Sequence, residues 1–209
     1  MLALFAAADG DFRAAFLLLI VTAVIDATDG MLARRVRVRE ALPHFDGAMV
    51  DNVIDFFTYI WIPVFIMERA GILPHPAWIV VPILAGLYAY GQENMKTPDG
   101  FFLGFPSHWN VIALYLYWLR PEPLWAVLAL VIPGVLTFVP TRYLYPSKSR
   151  ILRAPTFFFG ALWTVLVLVL LAQPAPDTRL VWLSALYPAY YLGASFYVDW
   201  RMRRVSAQP

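Results

Sequence analysis

Four aspartates, Asp26, Asp29, Asp51 and Asp55, interrupt stretches that are otherwise apolar. An ionisable group in such a stretch is costly and by default marks function. The offsets are i,i+3 and i,i+4, so each pair shares one helix face. Asp26 lies eight residues before Arg34, and Asp55 eight residues after Gly47. At 1.5 Å per residue, both sit roughly 12 Å inside the same end of their helices. Carboxylates gathered at one level repel one another unless cations join them. The chain has no cysteine, so a metal must be met by oxygen or imidazole. All-oxygen ligation suits Mg²⁺ or Mn²⁺, and four carboxylates can hold two such ions. Taken singly, each Asp could instead cap a helix or pair with an arginine, and the set could serve a cation or proton pathway in a carrier. The small residues Gly30, Ala33 and Gly47 leave room between the helices. Arg34 offers a forked donor for phosphate. Together these features point to a diphosphate ligand attached to a lipid.

The elements that must position these groups are long apolar helices. Of the 209 residues 61% are hydrophobic and only 14% charged, which excludes a soluble globular domain and a disordered chain. A net charge of +2 gives no electrostatic case for nucleic acid. The runs are continuously apolar rather than alternating, which argues against a β-barrel. Seven spans are expected: 11–34, 47–68, 77–95, 107–119, 124–142, 155–172 and 179–199. The fourth is short and could extend back into Phe101–Pro106. The predicted fold is therefore all-α, a polytopic transmembrane helix bundle forming one domain over 1–209. Prolines at 63, 82, 133, 140 and 188 fall inside the spans, where packed neighbours tolerate kinks. Twelve of the sixteen Lys and Arg fall in the loops on the aspartate side, leaving only Arg13, Arg69, Arg120 and Arg179 on the other. The positive-inside rule places the aspartate side and the C-terminus in the cytoplasm.

The string Asp26-x2-Asp29-Gly30-x2-Ala33-Arg34-x12-Gly47-x3-Asp51-x3-Asp55 resembles the motif of the CDP-alcohol phosphotransferase family, with every fixed position filled. The gap of twelve is longer than the family's usual eight or so and is similar to that of its bacterial phosphatidylcholine-synthesising branch. The segments Phe101–Asn110 and Pro140–Lys148 also resemble that branch, and the likeness covers essentially the whole chain. Members of the branch usually have a further helix before the one carrying the first Asp. The apolar stub Met1–Ala8 is accordingly expected to be the remnant of a truncated N-terminal helix; a tail or an interfacial segment are the other readings.

The resemblance implies transfer of a phosphatidyl group from CDP-diacylglycerol to choline with release of CMP, in the inner (cytoplasmic) membrane of a bacterium and by a homodimer. Asp26, Asp29, Asp51 and Asp55 would hold two Mn²⁺ or Mg²⁺ ions, with Asp55 also the general base for the choline hydroxyl. Gly30, Ala33, Arg34 and Gly47 would contact the nucleotide. A sister transferase with another acceptor, such as serine, shares the metal motif and is the nearer alternative; a carrier is the more distant one. Among the basic loop residues, Arg142, Lys148, Arg150 and Arg153 serve as topology signals and headgroup contacts, and Arg142 is the one expected to reach a substrate phosphate. A quaternary ammonium has no hydrogen-bond donors and must be held by aromatic faces and a nearby negative charge. Tyr59, Glu93, Trp109 and Asn110 are the candidates for that pocket, with Tyr187, Tyr190 and Tyr191 next in order.

Overall fold

The computed structural model describes residues 1–206 apart from Ser147 and Arg150, and the side chains there apart from those of Met31, Arg34, Arg39, Val205 and Ser206. Helix dominates. In chain order the helices are α1 (Leu2–Ala8), α2 (Phe12–Arg35), α3 (Val38–Ala41), α4 (Gly47–Phe56), α5 (Ile62–Arg69), α6 (Val80–Gly91), α7 (Trp109–Leu119), α8 (Pro123–Thr137), α9 (Arg153–Ala172), α10 (Thr178–Ser184) and α11 (Leu186–Ser206). Two short strands, β1 (Phe101–Leu103) and β2 (Arg142–Leu144), pair antiparallel. Helices α4 and α5 run on as one rod of 23 residues, Gly47–Arg69, which with the 20-residue α9 is long and apolar enough to cross a membrane. Only 33% and 22% of their apolar windows are buried, unlike a core helix of a soluble protein. The outward surface carries Val21, Val24 and Ile25 on α2 and Phe157, Phe158, Leu162 and Val165 on α9, as a lipid-solvated bundle requires.

Each of the seven expected spans contains helix, but several ends differ from expectation: the third span's helix stops at Gly91 rather than at residue 95, and the last runs on to Ser206. In the fifth span, helix α8 stops at Thr137, five residues before Arg142, which lies on β2 instead. The fourth does not extend back through Phe101–Pro106, because Phe101–Leu103 pairs with Arg142–Leu144. Gly104, at φ +81°, turns the chain out of β1, and a Cβ there would strike the Thr137 carbonyl. A strand pair of three residues each leaves no hydrophobic period to detect. The last span breaks at Ala185 between α10 and α11. Met1–Ala8 contains a helix, α1, whose Ala3 and Ala7 are buried in the shared core.

One deviation bears directly on the aspartates. Between α4 and α5, Phe57–Trp61 forms a π-helical turn. Pro63 has no N–H, so the Tyr59 carbonyl loses its usual i+4 donor. The Ile62 N–H bonds back to the Phe57 carbonyl, and the Thr58 hydroxyl donates to the Ile54 carbonyl at 3.0 Å. The rod is thus widened just beyond Asp55, a device frequent at functional sites.

Candidate active site

Asp51 and Asp55 project from α4, whose start is fixed by Asp46: its carboxylate accepts from the Met49 N–H at 3.0 Å. Asp26 projects from α2. Carboxylate oxygens of Asp26, Asp51 and Asp55 all lie within 4.8 Å of one another. Asp55 is buried, 8% exposed, while Asp26 and Asp51 are half-buried. Asp29, the fourth expected member, is exposed one turn along α2 and stands outside this triplet. Three hard oxygen donors converging at this spacing fit a divalent cation such as Mg²⁺ or Mn²⁺.

The neighbours of the triplet are specific. The Tyr59 hydroxyl donates to Asp26 Oδ2 at 2.8 Å, tying α2 to the π-turn. The Lys96 ammonium lies 3.7 Å from Asp51 Oδ2. Tyr90, near the end of α6, meets Phe56 edge-on with centroids 6.0 Å apart, so a half-buried aromatic wall adjoins Asp55. Helices α4 and α6 approach closely because Gly86 has no side chain; a Cβ there would run into Ile60 and crowd Phe56.

The remaining sequence-predicted residues are placed as follows. Gly30 is half-buried and Ala33 exposed on α2; the Arg34 side chain lies outside the described residues, as do Ser147 and Arg150. A Cβ on Gly47 would meet nothing within 4 Å, so packing within the chain does not demand glycine there. Arg142 has its backbone N–H bonded to Asp199 Oδ1 at 3.0 Å, and its guanidinium stands 3.7 Å from the same oxygen and 4.0 Å from Asp99. Arg203 holds the other Asp199 oxygen at 2.6 Å. Of the choline candidates, only Tyr59 is bonded to a carboxylate of the triplet. Glu93 is exposed in the turn after α6. Trp109 is fully buried, edge-on to Phe105 at 5.7 Å. Asn110 lines a separate, largely apolar cavity of about 590 Å³ between α2, α7, α9 and α11, together with His108, Tyr187 and Tyr191. Tyr190 instead shares a hydrogen bond of 3.2 Å with Thr156. In the sequence Lys96 stands out only as one of the twelve basic residues that set the topology. Its position as the lone basic residue in that loop was the available sign, but contact with Asp51 required the fold.

The class of membrane protein to which this bundle and its acidic triplet belong is given by comparison with known proteins. Residues 1–96 match the model of the CDP-alcohol phosphatidyltransferase family. The chain is 38% identical to a phosphatidylcholine synthase of Legionella pneumophila over 201 residues, covering 90% of this chain and 78% of the relative. It is 36% identical to a phosphatidylcholine synthase of Legionella bozemanae, covering 86% and 88%. It is 35% identical to one of Pseudomonas aeruginosa, covering 98% and 86%. No solved structure matches. The chain belongs to the CDP-alcohol phosphatidyltransferase family. Within that family, the relatives just described are all phosphatidylcholine synthases.

Proposed function

We propose that this chain transfers the phosphatidyl group of CDP-diacylglycerol to choline, giving phosphatidylcholine and CMP. The observation that carries the reading is the convergence of Asp26, Asp51 and Asp55 from two helices, in a chain whose relatives are phosphatidylcholine synthases over most of their length. Asp26, Asp51 and Asp55, with Asp29 at the rim, would hold one or two Mn²⁺ or Mg²⁺ ions. Bound there, divalent cations supply positive charge to the diphosphate and to the departing CMP. Asp55, the most buried of the three, is the base that takes the choline hydroxyl proton. Tyr59 fixes the orientation of Asp26 through its hydrogen bond.

Gly30, Ala33, Arg34 and Gly47 form the nucleotide side of the site; the open space at Gly47 supports this. The Arg142 guanidinium is about a third exposed and its contact with Asp99 is loose at 4.0 Å, which leaves a donor face for a substrate phosphate. For choline, the half-buried rings beside the triplet, Tyr59 with Phe56 and Tyr90, supply the aromatic faces a quaternary ammonium needs, with Glu93 the remaining candidate; Trp109, fully buried against Phe105, and Asn110, in the separate apolar cavity, fall outside this pocket. The basic loops favour an inner-membrane protein with the site facing the cytoplasm, and the proposed assembly is a homodimer.

The test is CMP release from CDP-diacylglycerol by purified protein, with choline and then serine as acceptor, in Mn²⁺ or Mg²⁺ and again after chelation. Choline-dependent release that stops on chelation and returns with either ion is expected. Release with serine but not choline would replace the acceptor; transport of a cation with no CMP release would replace the enzyme by a carrier.

A further inference from the structure

Lys96 is the only cation within ion-pair distance of the aspartate triplet among the described residues. It is about a third exposed and Asp51 somewhat more so, 30% against 38%. Although it lies in a loop, its backbone is fixed. Lys96 bridges Phe102 of β1, and Leu103 N–H bonds to the Met95 carbonyl at 3.0 Å. Next along the chain, Thr97 exchanges bonds with Phe101: its N–H donates at 2.8 Å, and its hydroxyl accepts from the Phe101 N–H at 3.0 Å. Gly100, at φ +84°, closes the turn so tightly that a Cβ would press on the Lys148 backbone. A lysine that merely marks topology needs no such anchoring. The small sheet holds this ammonium beside the carboxylates.

We propose that Lys96 is a substrate-diphosphate ligand, poised on Asp51 and transferred to the nucleotide diphosphate when divalent cations take up the Asp51 carboxylate. This rests on the metal reading given above. The physical reason is charge balance. An ammonium and a divalent ion compete for one carboxylate oxygen, so cation binding at Asp51 removes the partner of Lys96. The diphosphate brings negative charge to the same place, and a lysine acts toward phosphate as a mobile point charge on a flexible stem. Lys96 therefore opposes metal binding before the nucleotide arrives and favours the nucleotide once metal is bound.

The two effects have opposite signs, which a structural role would not produce. The test uses the purified full-length protein in detergent, with Mn²⁺ uptake read by loss of the free-ion EPR signal and CDP binding read by calorimetry in saturating Mn²⁺. In K96M, Mn²⁺ without CDP should bind about three- to tenfold more tightly than in wild type, because one competing charge is gone. CDP should bind about tenfold or more weakly. K96R, which keeps the charge, should stay within about threefold of wild type on both measures. Unchanged or weaker Mn²⁺ binding in K96M, or unchanged CDP binding, would overturn the proposal. So would K96R behaving like K96M, since loss of lysine packing would then account for both. Wild-type protein that takes up no Mn²⁺ would overturn the metal reading itself, and this inference with it.

Discussion

The two ends of the bundle use their cations differently. At the end opposite the aspartates, arginines satisfy helix carbonyls. Arg13 bonds the Leu171 and Ala172 carbonyls at the end of α9 with three contacts of 2.8–3.0 Å. Arg69 reaches the Ala8 carbonyl at the end of α1, and Arg120 the Ala70 carbonyl just past α5. These are the orphan acceptors every helix leaves at its C-terminus, and a cation is favoured there by the helix dipole. At the aspartate end three cations face carboxylates: Lys96 faces Asp51, while Arg142 and Arg203 face Asp199, Arg203 also donating to the Pro140 carbonyl. A cation on a backbone carbonyl has one job, holding helices together. A cation on a carboxylate can be exchanged for another cation or for a substrate anion. The first end is a clasp; the second has exchangeable charge.

On that contrast, the largest effect belongs to the triplet. Asp51→Asn or Asp55→Asn should insert normally and lose about three orders of magnitude or more in CMP release. Asp55→Asn should keep more nucleotide binding than turnover, since it removes the base as well as a ligand. Asp29→Asn separates the sequence reading from the geometry: Asp29 shares the motif but not the triplet, so its loss is expected to cost less than that of Asp51. Full activity in Asp51→Asn would sink the site.

Next in size is Tyr59. Tyr59→Phe removes one hydroxyl and leaves the ring, so Asp26 loses its 2.8 Å donor while any aromatic face for choline remains. Turnover should fall about tenfold to a hundredfold, the usual cost of losing an outer hydrogen bond to a metal ligand, with the apparent choline constant nearly unchanged. Tyr59→Leu should raise the choline constant as well. If the two variants behave alike toward choline, the ring is not part of the acceptor pocket.

The sequence disclosed this site because its chemistry is local: Asp26 and Asp29 on one helix, Asp51 and Asp55 on the next, each at helical spacing. The basic-loop count and continuous apolar runs disclosed the spans for the same reason. What stayed hidden depends on contacts distant in sequence. Lys96 stands beside Asp51 in a loop whose backbone bridges β1, and three-residue strands carry no readable period. Trp109, an obvious aromatic for a cation on composition alone, is packed away behind Phe105, and nothing in its neighbours' types reveals that. The π-turn could be suspected from Pro63, but its effect on Tyr59 and Asp26 is a matter of how two helices meet.

Arg142 tests the boundary between clasp and exchangeable charge. It is tied by its backbone to Asp199 and by its guanidinium to Asp199 and Asp99. Arg142→Gln should raise the apparent constant for CDP-diacylglycerol about three- to tenfold if its free face meets a phosphate. Asp199→Asn, which loosens the same network from the other side, should change that constant by less than about threefold. Equal shifts in the two variants would make Arg142 a clasp after all and move the phosphate role to Lys96 and Arg34.

The smallest effect on chemistry, and the sharpest check on the contrast, is expected at Arg13. Its side chain is half-buried and serves two carbonyls at the end of α9. Arg13→Gln cannot reproduce the forked donor, so at least one of those acceptors loses its partner. The cost should be about 1–3 kcal/mol of stability, as for a charged hydrogen bond removed at a partly buried site, seen as a lower unfolding midpoint in detergent. Turnover per folded molecule should stay within about twofold of wild type, because Arg13 lies near the opposite end of α2, 13 residues before Asp26. A large fall in turnover per folded molecule would mean that the clasp at one end sets the geometry of the carboxylates at the other, and the two ends would then have to be treated as one mechanism.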